Sequence, residues 1–399
     1  MSAMIIEPHE SDEDFSVVLG GPLFQIFRRA YLSGSALELL HRRMIFITVI
    51  SWLPLLVLSI GEGHAWGSGI SLPFLRDVDV QARLLIALPL LLAAELFVHR
   101  RMVNVVRQFL ERGLIPVSDR SRFDKAAASA LRLRNSVIAE LLLVAFVYGI
   151  GVLFLWRKNA ELNVSSWYNP TFDGSLHPSL AGWWFALVSL PLFQFLLFRW
   201  YYRLFIWARF LWQVSRIKLD LVVTHPDRSA GLGFLSTVTF AFMPLMLAQG
   251  TLLAGMIANR IFYTGAYLTQ FKVDIAGVVV LALTFVLAPL LVFSPQLGRV
   301  KRAGGREYGR LAQRYVREFD RKWLRGGAAP DELLLGSSDI QSLADMGNSY
   351  GVIREMRWLP FNTKTVLQLG VMAIVPVLPL MLTMIPLDQL LDRLVKIIF

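Results

Sequence analysis

Residues 274–297 read DIAGVVVLALTFVLAPLLVFSPQL, and Asp274 is the only charge in the stretch. A helix needs about 20 mostly apolar residues to cross a bilayer, and this run is long enough. Six more stretches come close to the same length with few charges: 44–60, 84–98, 136–156, 182–198, 235–258 and 365–385. The sequence therefore predicts an all-α fold, a polytopic transmembrane helical bundle of about seven spans.

The whole chain agrees with that stretch. Of its 399 residues 55% are hydrophobic and 17% charged, with mean hydropathy +0.53. Soluble domains carry about a quarter charged residues, so an ordinary soluble enzyme is excluded, as is disorder over most of the length. There are no cysteines, which removes disulfide scaffolds, thiolate metal sites, cysteine nucleophiles and lipidated cysteines.

Lys and Arg are distributed unevenly between the loops. With the N-terminus inside, the pieces 1–43, 99–135, 199–234 and 298–364 hold 32 of the 40 basic residues. The pieces 61–83, 157–181, 259–273 and 386–399 hold two each. Cytoplasmic loops carry the Lys/Arg excess, so the N-terminus is expected in the cytoplasm. The same asymmetry explains the net charge of +11 without a nucleic-acid partner. Residues 1–14 contain five acids and no Lys or Arg, the opposite of a signal-peptide n-region. They read as a frayed acidic tail, with the first span as an uncleaved anchor. The organisation expected is a cytoplasmic tail (1–43), a six-span bundle (44–297), a basic amphipathic helical segment in the cytoplasm (298–364), and a last span followed by an interfacial C-terminal helix (365–399).

Six of the seven spans contain proline: Pro54, Pro89, Pro191, Pro244, Pro289, and Pro376 with Pro379. Proline removes a helical hydrogen bond, and in a membrane a neighbour must satisfy the freed carbonyl. Kinked packing and hinges around a substrate site are both compatible with this pattern. Gly250, Ala254 and Ala258 form a small-residue stripe suited to close helix contact. Residues 199–213, RWYYRLFIWARFLWQ, continue the fourth span with aromatic and basic side chains that suit the headgroup layer, as an anchor or as a lipid-headgroup pocket.

Apart from Asp274 at the very edge of its span, two acids, Glu95 and Glu140, lie within spans, about one turn from the expected cytoplasmic boundary. Arg199 lies at a similar depth and can pair with either. Ionisable groups inside a bilayer are costly and mark functional sites by default, unless they reach out to the interface. Gln194 and Gln249 are further polar groups within spans. A second candidate is the loop THPDRSAGLGF at 224–234, in which His225, Asp227 and Arg228 precede a helix start. Helix N-termini favour anions, so a phosphate or headgroup site is one reading and a structured turn the other. His225-Pro226-Asp227 also matches the J-domain tripeptide, but no two-helix J module surrounds it.

Residues 306–325 put Tyr308, Leu311, Tyr315, Phe319 and Trp323 on one helical face and Arg310, Arg314, Arg317 and Arg321 on another. A basic amphipathic helix of this kind suits anionic headgroups, the underside of the bundle or a partner protein. A second helix is expected from about Ser338 to Trp358. No nucleotide-binding, hydrolase, zincin or EF-hand motif occurs. The six histidines show no metal-ligand spacing, so no cofactor and no catalytic or metal-ligating residue is implied.

At Gly20-Gly21-Pro22-Leu23-Phe24, His225–Phe234 and Arg306–Arg325 the chain resembles a family of uncharacterised bacterial inner-membrane proteins. The resemblance implies a multi-pass protein of the bacterial cytoplasmic membrane and carries no activity, cofactor or site. Three function classes remain open. They are transport of a small solute or ion; a membrane-embedded scaffold or regulator, as a homo-oligomer or with a protein partner; and a lipid-processing enzyme using His225, Asp227 and Arg228 near Glu95 or Glu140. The expected surroundings are the bilayer and the anionic headgroups of its cytoplasmic leaflet.

Overall fold

In this computed structural model the described residues are 15–384 apart from 19, 23, 24, 26–39, 68, 69, 162–165, 171–177 and 335, with backbone alone for 150–161. The acidic tail at 1–14 and the interfacial helix expected at the C-terminus lie outside them. The described chain is helical throughout. Its only β pairings are isolated bridges between Leu72 and Ser166 and between Ser166 and Asn169.

Among the described residues six helices are long and apolar enough to cross a membrane: α1 (Leu40–Gly61), α2 (Val78–Glu111), α5 (Leu180–Val214), α6 (Leu235–Thr264), α7 (Leu268–Leu324) and α9 (Thr363–Met384). The protein is a multi-pass membrane protein by this measure. Between α2 and α5 lie α3 (Arg120–Arg134) and the 25-residue α4 (Val137–Glu161). Side chains of α4 are described only to Gly149, over which it is apolar. A further helix, α8 (Ser338–Glu355), precedes α9.

The helices are longer than the apolar runs that reveal them. The run at 84–98 belongs to a helix of 34 residues, and 274–297 to one of 57. At 1.5 Å per residue α7 is about 85 Å long, against a hydrocarbon core of about 30 Å. The basic amphipathic segment at 306–325 is therefore not a separate helix but the far half of α7. Its aromatic face meets α8. Tyr315 donates to the Asp339 carbonyl at 3.0 Å, and Trp323 Nε1 donates to the Asp339 carboxylate at 3.0 Å. Ser337 caps α8 by accepting from the Asp339 amide.

The helix ends fall into two groups. At one end, which carries the arginine-rich segments and is called the basic end, Arg43 of α1 meets Glu95 of α2, and Arg199 of α5 meets Glu140 of α4. At the far end, Trp167 and Asn259 both donate to Asp77, just before α2. There Glu62 also accepts from the Leu180 amide at the start of α5. α1 and α4 thus run away from the basic end, and α2 and α5 run toward it.

Prolines sit where helical geometry changes. Pro89 and Pro191 each follow a π-helical turn, at Ala82–Ala87 and Phe185–Ser189. Pro244 follows the 3₁₀ turn Phe240–Phe242, and Pro289 and Pro376 with Pro379 lie within 3₁₀ turns. Only Pro54 sits inside an uninterrupted α-helix. Changing the local pitch moves the carbonyl that a proline ring would otherwise strike. At Pro191 a neighbouring helix satisfies the freed carbonyl. Tyr148 of α4 donates to the carbonyl of Leu187, four residues before Pro191, at 3.1 Å. Ser189 of α5 donates to the carbonyl of Ser51, three residues before Pro54, at 2.7 Å and so ties α5 to α1 beside that proline.

Helix α6 is the most buried of the six, at 61% of its apolar window. Its glycines explain why. A Cβ on Gly250 would collide with the Ala373 carbonyl of α9, and one on Gly255 would come within 3.0 Å of Asp79 and Ala82 on α2. Small residues let these backbones touch.

Candidate functional site

Five ionisable side chains from four helices converge at the basic end. Arg43 lies three residues into α1, Glu95 at the middle of α2, Glu140 near the start of α4, and Arg199 and Arg203 one turn apart on α5. Residues four apart share a helix face, so both α5 arginines address the same carboxylate. Arg203 Nη1 is 2.8 Å from Glu95 Oε1, and Arg199 Nη1 is 3.7 Å from it. Arg43 pairs with the other oxygen, Oε2. Arg199 Nη2 reaches Glu140 Oε1 at 3.2 Å, so Arg199 joins the two acids. Arg203 also stacks on Trp200, with its guanidinium 4.9 Å from the ring centroid.

The sequence brings Glu95, Glu140 and Arg199 forward and leaves open whether they reach out to the interface. They do not. Glu95 is 3% exposed, Arg43 1%, Arg199 5% and Arg203 4%. Arg43 and Arg203 are members that sequence reasoning missed. The four-residue step from Arg199 to Arg203 was the available signal, whereas Arg43 beside Arg42 looks like an ordinary boundary cation.

An N-terminal segment closes over this network. Phe15, Ser16, Val17 and Val18 are buried, so the 1–43 stretch is not a solvent-exposed tail throughout. Phe15 packs on Phe210 with ring centroids 4.7 Å apart. Arg134 donates to the Ser16 carbonyl at 2.6 Å, and His99 Nδ1 lies 2.9 Å from the Ser16 hydroxyl. Gly20 offers its carbonyl to Arg199 at 3.5 Å, and the Gly21 amide donates to Asn135 at 3.0 Å. Both glycines have left-handed φ, +138° and +90°. A Cβ on Gly20 would strike the Arg134 guanidinium, and one on Gly21 would lie 3.0 Å from Glu140 Oε1.

His225, Asp227 and Arg228 form a separate unit. The Asp227 carboxylate accepts from the amides of Ser229 at 2.7 Å, Gly231 at 3.2 Å and Gly233 at 2.8 Å. The anion that the helix start invites is thus supplied by the chain itself, and the donors offered to a phosphate are already taken. Burial works to raise the Asp227 pKa, but the three amides and His225 outweigh it and hold the carboxyl below its usual range. His225 Nδ1 lies 3.2 Å from the Asp227 amide and 3.0 Å from its Oδ1. It accepts from the amide when neutral and pairs with the carboxylate when protonated. Arg228 pairs with Glu355 at 3.0 Å, and Arg357 donates to the Asp227 carbonyl at 2.8 Å and to the Ser229 hydroxyl at 3.2 Å. The loop is thereby fastened to the end of α8. Arg228 and Ala230 hold φ of 55° and 54°, a conformation that costs a non-glycine residue energy and that these fastenings maintain.

A polar group at the far end was not singled out from the sequence. Asp77 is buried and accepts from Asn259 Nδ2 at 2.7 Å, Trp167 Nε1 at 2.9 Å and the Val80 amide at 3.2 Å. Arg83 pairs with Asp79 at 2.9 Å, and Trp52 donates to Gln81 at 2.6 Å. Gln249, a candidate by its place within a span, bonds the Tyr201 hydroxyl at 2.8 Å. Among the described residues no group of three His, Asp or Glu lies close enough to hold a metal ion.

No family model, curated protein or solved structure matches the chain.

Proposed function

We propose that this is a multi-pass protein of a bacterial cytoplasmic membrane, with seven spans and the N-terminus inside, that moves a small solute or ion. In this reading α4 is the remaining span and the basic end faces the cytoplasm. The observation that carries it is the Arg43–Glu95–Arg199–Arg203–Glu140 network. Burying a charge pair gains little stability over apolar packing, and ionisable groups at this depth mark solute and proton pathways. The network ties four helices together at one end and acts as the inner closure of the path. A charge network in which two arginines share one carboxylate is a suitable gate, because exchange of partners rather than loss of them would open it.

The test is flux of a solute and ion panel into proteoliposomes of the purified protein, repeated with Glu95→Gln and Glu140→Gln. Flux of one solute class that both substitutions lower by an order of magnitude or more is the expected result. Absence of flux throughout the panel, or flux indifferent to both, removes the proposal.

A second reading, a scaffold or regulator, is favoured by the hairpin of α7 and α8. Leu311, Val316, Leu324, Leu333 and Ile340 are exposed there, on a part of the chain that extends beyond any bilayer-spanning length. Co-purification from native membranes, with these five residues changed to Ser or Gln, tests it. An unchanged partner set counts against it. The enzyme reading loses its acid–base set, because Asp227 is engaged by backbone amides and its loop is bonded to α8 rather than to Glu95 or Glu140.

A further inference from the structure

At the basic end, the last turn of α5 and the middle of α7 enclose a cleft of about 690 Å³, a volume typical of small-ligand sites. Its walls carry Trp212, Arg216, Lys218, Val292, Arg299 and Val300. Three of these are cations, and no acid lines the cleft. Among the described residues none of the three cations makes an ion pair, whereas Arg228, Lys322 and Arg122, elsewhere in the chain, each hold an acid. The Arg216 guanidinium lies 5.0 Å from the Trp212 ring centroid, which orders an otherwise free side chain at the rim. Gln296 fixes the cleft's shape: its Nε2 donates to the carbonyls of Ser215 at 2.6 Å and Ile217 at 2.7 Å. That bond pair ties the segment after α5 to α7.

The surroundings match an amphiphile rather than a free anion. One wall is apolar, through Val292 and Val300. Just outward from the cleft, toward the membrane-spanning parts of the same two helices, Leu291 is 43% and Phe205 56% exposed. A hydrocarbon tail can lie along those side chains while its headgroup sits among the cations. A free phosphate would use the cations alone and leave the indole and the apolar wall without a role.

We propose that this cleft binds the phosphate-bearing headgroup of an anionic phospholipid from the leaflet at the basic end. Arg216, Lys218 and Arg299 hold the phosphate, Trp212 covers the glycerol region, and Val292 with Leu291 guides the acyl chain. The inference is independent of transport and survives its failure, since it needs only a bilayer at the level of residues 212–218 and 292–300.

The test uses the full chain in nanodiscs of equal phosphatidylglycerol and phosphatidylcholine, followed by native mass spectrometry of retained lipid. Phosphatidylglycerol is expected to be retained in preference by about tenfold or more. The combined Arg216→Gln, Lys218→Gln and Arg299→Gln variant should lose that preference. Neutralising Arg310, Arg314 and Arg317 instead should leave it intact. Equal loss in the two variants would mean general attraction of a basic surface and would overturn the site. A photoactivatable phosphatidylglycerol, used with the unmodified protein, keeps the question decidable if the first variant does not fold. Crosslinks are expected at 212–221 and 292–300, and crosslinks confined elsewhere refute the proposal. Calorimetry with inorganic phosphate separates the sources: phosphate binding without lipid retention means a free-anion site and ends the lipid assignment.

Discussion

Arg203 Nη1 stands 2.8 Å from Glu95 Oε1, and Arg199, one turn earlier on the same helix, faces that oxygen at 3.7 Å. With Arg43 on the opposite oxygen, one buried carboxylate balances three guanidinium groups. Removing it leaves those charges facing one another away from water, and breaking a buried pair in this way costs about 3–5 kcal/mol. Glu95→Gln is therefore expected to be among the most destabilising single changes in the chain, read as a lowered thermal midpoint in detergent. Arg203→Met should cost less, because Arg43 and Arg199 still serve the acid. If the two variants melt with the parent protein, the network is not a structural closure.

Asp227 sets a pH expectation for the loop before α6. Its carboxyl is held below the ordinary value of 3.8, because three backbone amides and His225 outweigh the effect of burial. A depressed folded-state pKa contributes stability that is fully present above the unfolded value and is lost as pH falls through the folded one. The amides of Ser229, Gly231 and Gly233 should thus keep their exchange protection at neutral pH and down to about pH 4. Below that they should lose it ahead of the helices. Asp227→Ala is expected to cost about 2 kcal/mol and to remove protection at neutral pH. Protection that is indifferent to both treatments would show that Arg357 alone holds the loop.

The helical class was legible because a bilayer imposes a length, and runs such as 274–297 announce it. Helix ends were less so. A hydropathy pattern follows apolar residues, whereas α2 and α7 continue as ordinary amphipathic helices past the apolar part, α7 even through Gly298, Gly304, Gly305 and Gly309, and stop just before Gly113 and Gly326. Glu95, Glu140 and Arg199 were visible because charge inside an apolar run is conspicuous. Arg43 and Arg203 sit where cations are expected anyway, and only the face they occupy distinguishes a buried partner from a surface anchor. The segment from Phe15 to Val18 has no periodicity to read, since it packs as a short bend outside any helix or strand. The 224–234 loop misled in a different way: its residues do build an anion site, but the anion is Asp227.

Gly20 and Gly21 place the N-terminal segment against the network, so they should tolerate no side chain. Gly21→Val combines a left-handed φ of +90° with a Cβ 3.0 Å from Glu140 Oε1. Backbone strain of this kind costs about 1–3 kcal/mol, enough to release the segment while the bundle stays folded. Limited proteolysis should then cut between residues 15 and 25 in the variant and spare the parent. Gly61→Ala, at a position where a Cβ meets nothing within 4 Å, is the matched control. Equal cutting of all three proteins would mean that the segment is not held as described.

Tyr148 supplies the hydrogen bond that Pro191 cannot. The proline has no amide hydrogen, and the carbonyl four residues before it, Leu187, accepts from the Tyr148 hydroxyl at 3.1 Å. In hydrocarbon an unsatisfied carbonyl is costly, so Tyr148→Phe should destabilise the contact between α4 and α5 by about 0.5–1.5 kcal/mol. The effect ought to depend on the proline. With Pro191→Ala, residue 191 regains an amide that can serve Leu187 from within α5, and the hydroxyl becomes dispensable. A double-mutant cycle on thermal or denaturant unfolding measures this coupling directly. A tyrosine effect of the same size with and without Pro191 would mean that the hydroxyl contributes through packing or interfacial water rather than by completing the broken helix.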